Sequence, residues 1–273
     1  MIELFQKRCF LSVEKELNLV KKYLKEGFIE PLPSGFLKSF LLENSKFIRS
    51  KLAILYLKSQ NLEINDDIYK ILSAGEIIHS ASLLHDDVID DADIRRGRCT
   101  INKEFSPKIS ILSGDFLLSL AIEKLLELKS FEILKIFKDC TKKMSLAEIE
   151  QFFLRDKIPK ENEYLDICKN KTACLFSVIL QSCAILTNLD LEKARLFGEI
   201  FGICFQIKND LDKDSAEIDD KNGIFTAKKV LGIENTYNLL DNYKKDLNKI
   251  IINFSENIYR EELKGLIDSL CSR

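Results

Sequence analysis

Between Ser80 and Arg98 the chain runs apolar, then acidic, then basic: Ser80-Ala81-Ser82-Leu83-Leu84-His85-Asp86-Asp87-Val88-Ile89-Asp90-Asp91-Ala92-Asp93-Ile94-Arg95-Arg96-Gly97-Arg98. Five aspartates and three arginines fall within thirteen residues, after nine positions without formal charge back to Glu76. On a helix, Asp86 and Asp90 are one turn apart and stack about 6 Å from each other. Two carboxylates that close repel unless a cation sits between them. An all-oxygen donor set without His or Cys suits Mg²⁺ rather than Zn²⁺. Mg²⁺ is held by one or two carboxylates while phosphates fill other positions. Arg95 and Arg96 offer guanidinium forks that match phosphate oxygens. The stretch reads as a Mg²⁺-diphosphate site; the plainer alternative is an acidic helix end followed by a basic loop.

Other residues suit the same chemistry. The protein has two histidines, His79 and His85, both just before the aspartates. Lys46 and Arg49, three apart, can point two cations one way or form a surface pair. Lys171-Thr172 sits amid apolar residues, where a lysine either snorkels or holds an anion. A second acidic cluster, Asn209-Asp210-Leu211-Asp212-Lys213-Asp214, follows Phe205-Gln206-Ile207 at the end of an apolar stretch.

The elements that carry these residues read as helices. Apolar residues make up 46% of the 273, enough for a sizeable core. Only four prolines occur, none after Pro159, which favours long helices. Helical spacing covers residues 1–26, a helix begins near Phe36, and a central one, apolar almost all round, runs from Asp66 to Asp91. Further helices are predicted over Ile109–Lys129, Phe131–Phe153, Glu161–Leu186 and Leu191–Leu211, with two or three after Thr226. Pro31-Leu32-Pro33-Ser34-Gly35, Pro107, Pro159 and the polar residues 215–225 punctuate them. The fold class is therefore all-α, and no linker divides residues 1–273, so one domain is expected. Two apolar helices that each end in an acidic cluster would, facing each other, point both clusters into one cavity.

Composition excludes several classes. A net charge of −2 gives no basic face for nucleic acid. No apolar run reaches the ~18 residues of a membrane span, and no signal-peptide pattern opens the chain. The eight cysteines form no CxxC pair, which reads as reduced, buried thiols of a cytoplasmic protein.

Taken together, the motifs resemble the trans-type polyprenyl diphosphate synthases, which elongate prenyl chains head to tail. The likeness spans about residues 40–230. Glu76 to Asp87, continuing to Arg95-Arg96-Gly97, is similar to the family's first aspartate-rich motif. Lys46 and Arg49 match two positions of GGKxxRP, without its two Gly and its Pro. Gly114-Asp115 matches GD, Ala147-Glu148-Ile149-Glu150-Gln151 resembles GExxQ, and Tyr164 with Lys171-Thr172-Ala173 matches Y…KTA. Phe205-Gln206-Ile207 and the acidic run resemble FQxxDDxxD, but Asn209 replaces the first Asp, which in the family helps hold a third Mg²⁺. The family's Gly-Lys-x-Thr reads Gly223-Ile224-Phe225-Thr226, and Lys221 stands in for its lysine.

The resemblance implies an isoprenoid synthase fold, a bundle of about ten or more helices around a central cavity, in a homodimer. It implies Mg²⁺ as cofactor, held by Asp86, Asp90 and Asp210 with Asp87 in support. The substrates implied are an allylic prenyl diphosphate, bound by Arg95, Lys171 and Gln206, and isopentenyl diphosphate, bound by Lys46, Arg49, His79 and Arg96. Thr172 and Gln206 would turn oxygen dipoles toward an allylic cation. Ala81 and Ser82, five and four residues before Asp86, would set product length, because a bulky aromatic there stops growth in short-chain members. Both are small here. Ala74, twelve residues and about 18 Å along the helix from Asp86, is small too. The resemblance is therefore to long-chain, octaprenyl-type members that make quinone side chains. A farnesyl or geranylgeranyl synthase and a non-catalytic subunit of a heteromeric synthase are the alternatives. A terpene cyclase would need no second diphosphate pocket, which Lys46, Arg49 and the arginine pair argue against.

Overall fold

Asn65 and Asp66 start the element on which the candidate site is built. The computed structural model describes residues 11–28, 35–43, 46–95, 97–212, 219 and 222–272, and among these the fold is all-α as expected. Its strands are a two-residue ribbon, β1 (Ile94–Arg95) paired antiparallel with β2 (Arg98–Cys99), turning through Gly97 at φ +77°. The described residues group into two compact units.

The first unit draws on residues 13–54 and 64–134. It contains α1 (Glu14–Lys25), α2 (Gly35–Glu43), the start of α3 (Ile48–Lys58), α4 (Asp66–Ile89), α5 (Ile101–Glu104) and α6 (Pro107–Glu127). The Asn65 side chain accepts from Ile68 N at 3.0 Å and caps α4. Helix α4 buries Ile68, Ile71, Leu72, Ala74, Ile77, Ala81 and Leu84 with no more than traces of exposure, as its all-round apolar sequence foretells. Pro107, read in the sequence as a break, instead opens α6 at a position whose N–H needs no partner, behind the cap Ser106. Helices α4 and α6 run side by side, tied where Ser110 Oγ donates to Leu84 O at 2.8 Å.

The second unit draws on the described residues among 11–12, 55–63 and 135–272. It holds most of α7 (Phe131–Phe153), then α8 (Glu161–Ile167), which widens into a π-helical turn over Cys168–Ala173 and continues as α9 (Cys174–Thr187). Helix α10 (Leu191–Leu211) packs along it, followed by α11 (Ala227–Leu231), α12 (Ile233–Ile251) and α13 (Ile258–Cys271). The backbones of α9 and α10 nearly touch. A Cβ at Gly202 would lie 2.4 Å from Ala173 Cα, and one at Gly198 2.6 Å from Ser177 Cα. Phe176 bridges the pair, its ring tilted against Phe201 and Phe205 with both centroid distances 5.5 Å. Gly202→Ala is therefore expected to lower stability by about 1–3 kcal/mol through overpacking, despite Ala being the better helix former. Urea unfolding reads this; an unchanged midpoint would show that the two backbones can part at no cost.

Among the described residues, Glu161–Thr187 is the helical stretch long and apolar enough to cross a membrane, and 56% of its most apolar window is buried within the protein. Seven described cysteines are free thiols, five of them buried.

Candidate active site

The 3.6-residue repeat of α4 sorts the residues around the first aspartate cluster. His79, Ser82, Leu83, Asp86 and Asp90 recur every three or four positions, and all are half-exposed. They form one open stripe. Ala81 lies about 140° round the helix from Asp86 and is completely buried. Of the two residues singled out for product length, only Ser82 sits on the stripe, with its hydroxyl donating to His79 O at 2.8 Å.

Asp87 faces inward and is fully buried. Its Oδ1 accepts from Arg95 Nε at 2.6 Å, and its Oδ2 is buried without a hydrogen-bond partner. Burial pushes this carboxyl above the usual range; Arg95 opposes the shift and Asp90 adds to it. The backbone is anchored here too, since Asp87 O accepts from Ala92 N at 2.9 Å and from Asn102 Nδ2 at 3.3 Å. Arg95 is thus held by the fold through one nitrogen before it meets any ligand. Arg96 lies outside the described residues.

His85 lies against α6, its Nε2 3.4 Å from both Ile111 O and Asp115 Oδ1. Gly114 makes the room: a Cβ there would sit 2.3 Å from Nε2. The Gly114-Asp115 pair therefore serves His85. Midway along α4, buried Glu76 accepts from Ser50 N at 3.0 Å and Ser50 Oγ at 2.8 Å. This fixes the start of α3 beside Arg49, which is 6% exposed, whereas Lys46 is exposed. The two cations do not share one environment.

In the second unit, the π turn presents Lys171 and Thr172. Lys171 Nζ pairs with Glu148 and donates to Gln151 Oε1 at 2.6 Å, two partners on α7. Thr172 Oγ1 donates to Gln206 Oε1 at 2.7 Å, and Gln206 Nε2 donates to Asp210 Oδ1 at 2.8 Å. Asp210 Oδ2 accepts from Tyr164 OH at 2.6 Å and Ala227 N at 2.9 Å. Burial pushes the Asp210 carboxyl up, opposed by these three donors and by Lys171. Both oxygens of Asp210 are thus engaged inside the protein, while Asn209 and Asp212 are exposed. Lys213, Asp214 and Lys221 lie outside the described residues. Phe176 is in the α9–α10 core and Phe116 packs on Phe28 at 5.6 Å.

Sequence reasoning named Asp87 as metal support and Tyr164 only as a motif position. It missed Asp87 as the anchor of Arg95 and Tyr164 as a donor to Asp210. The one legible signal for Asp87 was its helical phase, 100° from Asp86. Asp86 and Asp90 remain a pair of solvent-reached carboxylates one turn apart, a donor set that fits Mg²⁺. Among the described residues no group of three or more His, Cys, Asp or Glu is arranged to hold a metal, so a cation there would complete its shell with phosphate and water oxygens.

The sequence matches the polyprenyl synthetase family over residues 32–224. It is similar to a prenyl transferase of Cyanidium caldarium, 32% identical over 216 residues, covering 75% of this chain and 64% of that protein. It is also similar to an octaprenyl diphosphate synthase of Haemophilus influenzae, 36% identical over 170 residues, covering 61% of this chain and 51% of that protein. The chain thus spans between half and two thirds of the length of these relatives. Its fold is that of a decaprenyl diphosphate synthase from Rhodobacter capsulatus, with a TM-score of 0.85 at 20% identity over 97% of this chain and 98% of the other.

Proposed function

Because the chain belongs to the polyprenyl synthetase family, we propose that it is a Mg²⁺-dependent prenyltransferase that condenses isopentenyl diphosphate head to tail with an allylic prenyl diphosphate, acting through one domain of residues 1–273. The observation that carries this reading is the open stripe of α4, where Asp86 and Asp90 stand one turn apart with His79 and Ser82 along the same face.

In this reading Asp86 and Asp90 hold Mg²⁺ against the allylic diphosphate. A divalent cation held there would supply positive charge to the diphosphate leaving group. Arg95, its plane set by Asp87, grips phosphate oxygens, as do Lys171 and Lys221. Lys46, Arg49, His79 and Arg96 bind isopentenyl diphosphate. The C–O bond of the allylic substrate breaks, its electron pair leaving with diphosphate. The double bond of isopentenyl diphosphate then attacks the allylic carbon, and loss of a proton restores a double bond. Thr172 and Gln206 place oxygen lone pairs toward the positive carbon. Exclusion of water from the site would keep that carbon from being hydrolysed.

The small Ser82 on the stripe supports a long product of the octaprenyl type. Ser82→Tyr is expected to shorten the product and keep activity. Ala81→Tyr is expected instead to overpack the core, at about 1–3 kcal/mol. Separating dephosphorylated products by length checks both; a Ser82→Tyr enzyme that makes the wild-type product removes Ser82 from the chain's path.

A homodimer is supported by the outer face of α6, where Ile111, Leu112, Ile122 and Leu126 are exposed along one stripe. Sedimentation of the purified chain tests it.

The exposed Asn209 and inward Asp210 favour one second reading, a non-catalytic subunit of a heteromeric synthase. A single experiment separates the readings. Purified chain is incubated with Mg²⁺, labelled isopentenyl diphosphate and farnesyl, geranyl or dimethylallyl diphosphate. Products beyond the geranylgeranyl stage are expected. Products that stop at farnesyl or geranylgeranyl make it a short-chain synthase, and none from any primer leaves the subunit reading.

A further inference from the structure

Gln206 is a carboxamide, and its two ends do opposite things to a nearby charge. Its orientation is settled by chemistry: only the amide nitrogen can donate to the Asp210 carboxylate, 2.8 Å away. The oxygen must then face Thr172, whose hydroxyl donates to it at 2.7 Å. Asp210 cannot swing aside, because its other oxygen is held by Tyr164 OH at 2.6 Å and by Ala227 N at 2.9 Å. Tyr164 and Asp210 are both about 5% exposed, whereas Thr172 and Gln206 are half-exposed. The buried pair therefore fixes how the open pair presents itself.

We infer that Asp210 and Tyr164 are positioning residues, which lock the Gln206 amide so that acceptor oxygens, and not N–H donors, are offered to the positive carbon of the allylic substrate. Asp210 is then no metal ligand. The inference rests on the prenyl-transfer reading. Preorganised dipoles aimed at developing charge act without reorganisation during the reaction, and a flipped amide would aim the wrong end.

Asp210→Asn tests this with little disturbance elsewhere. Asn can keep an oxygen at the Oδ2 position, retaining Tyr164 and Ala227. Its new NH₂ would then meet the Gln206 NH₂, and Gln206 must flip. We expect kcat to fall about 100-fold, with KM for isopentenyl diphosphate and the half-saturating Mg²⁺ concentration unchanged. Adding Gln206→Glu to Asp210→Asn returns an acceptor to both neighbours, so the double variant should outperform either single variant. In the Gln206→Glu single variant two carboxylates collide. A structural role alone would not produce that crossover. A rise of tenfold or more in the Mg²⁺ requirement of Asp210→Asn, without rescue, would make Asp210 a ligand and overturn the inference.

An independent readout covers an inactive chain. With ¹⁵N-glutamine labelling, the Gln206 side-chain NH₂ resonances are identified by their loss in Gln206→Glu. They should shift strongly in Asp210→Asn and measurably in Tyr164→Phe. If the wild type transfers no prenyl group, the proposed function fails while these shifts still decide the clamp. Resonances indifferent to both substitutions overturn it.

Discussion

Asp86→Asn is expected to cut turnover about a thousandfold while leaving the melting temperature in place. Charge stabilisation by a bound divalent cation is worth several kcal/mol at the transition state, and about 4 kcal/mol corresponds to three decades in rate. Asp86 is half-exposed on the stripe shared with Asp90, so water can solvate the substituted amide. Removing one of two like charges one turn apart should even relieve about 0.2–0.5 kcal/mol of repulsion in the metal-free protein. The check is kcat across a Mg²⁺ titration together with calorimetric unfolding. Activity within about tenfold of wild type at saturating Mg²⁺ would remove Asp86 from the metal site.

Its neighbour should behave in the opposite way. Asp87→Ala is expected to cost about 3 kcal/mol of stability, because removing one member of a buried ion pair leaves the other uncompensated. At about 2–4 °C per kcal/mol for a chain of this size, melting should fall by roughly 6–12 °C. The value sits at the low end of the range for buried pairs because the Arg95 side chain is 27% exposed and water can reach it in part. Turnover should fall as well, through the loss of Arg95 orientation, but with the Mg²⁺ dependence unaltered. Asp87→Asn, which keeps an acceptor for Arg95 Nε, should lie between Ala and wild type. An Asp87→Ala protein as stable as wild type would show that the Arg95 contact contributes nothing to the fold.

The helices were legible because their causes are local. The absence of proline after Pro159 and the 3.6-residue repeat place Leu191–Leu211 where the structure has α10, and Asp66–Asp91 within two residues of the end of α4. Pro107 marks a break in the sequence, and the structure has one at residues 105–106; behind the cap of Ser106, Pro107 itself is the first residue of α6. The sequence predicts a helix over Glu161–Leu186. Its six-residue π turn at Cys168–Ala173 was not legible, and the wide turn lies where α10 comes within backbone contact at Gly202.

The amino-acid sequence by itself determined the composition of the candidate site: paired carboxylates at helical spacing, an arginine behind them, and a lysine, threonine and glutamine in apolar settings. Residue type and spacing along one helix depend on nothing further away. Only the tertiary structure decided which members face out. Asp86 and Asp87 are adjacent and chemically identical, yet one is half-exposed and the other is buried against Arg95, because at this end of α4 one side is covered and the other is not. Asp210 is turned inward by a hydroxyl from Tyr164, 46 residues earlier, and by a backbone N–H from Ala227, 17 later. Such orientation is the outcome of burial and of hydrogen bonds between distant segments, which no local pattern encodes.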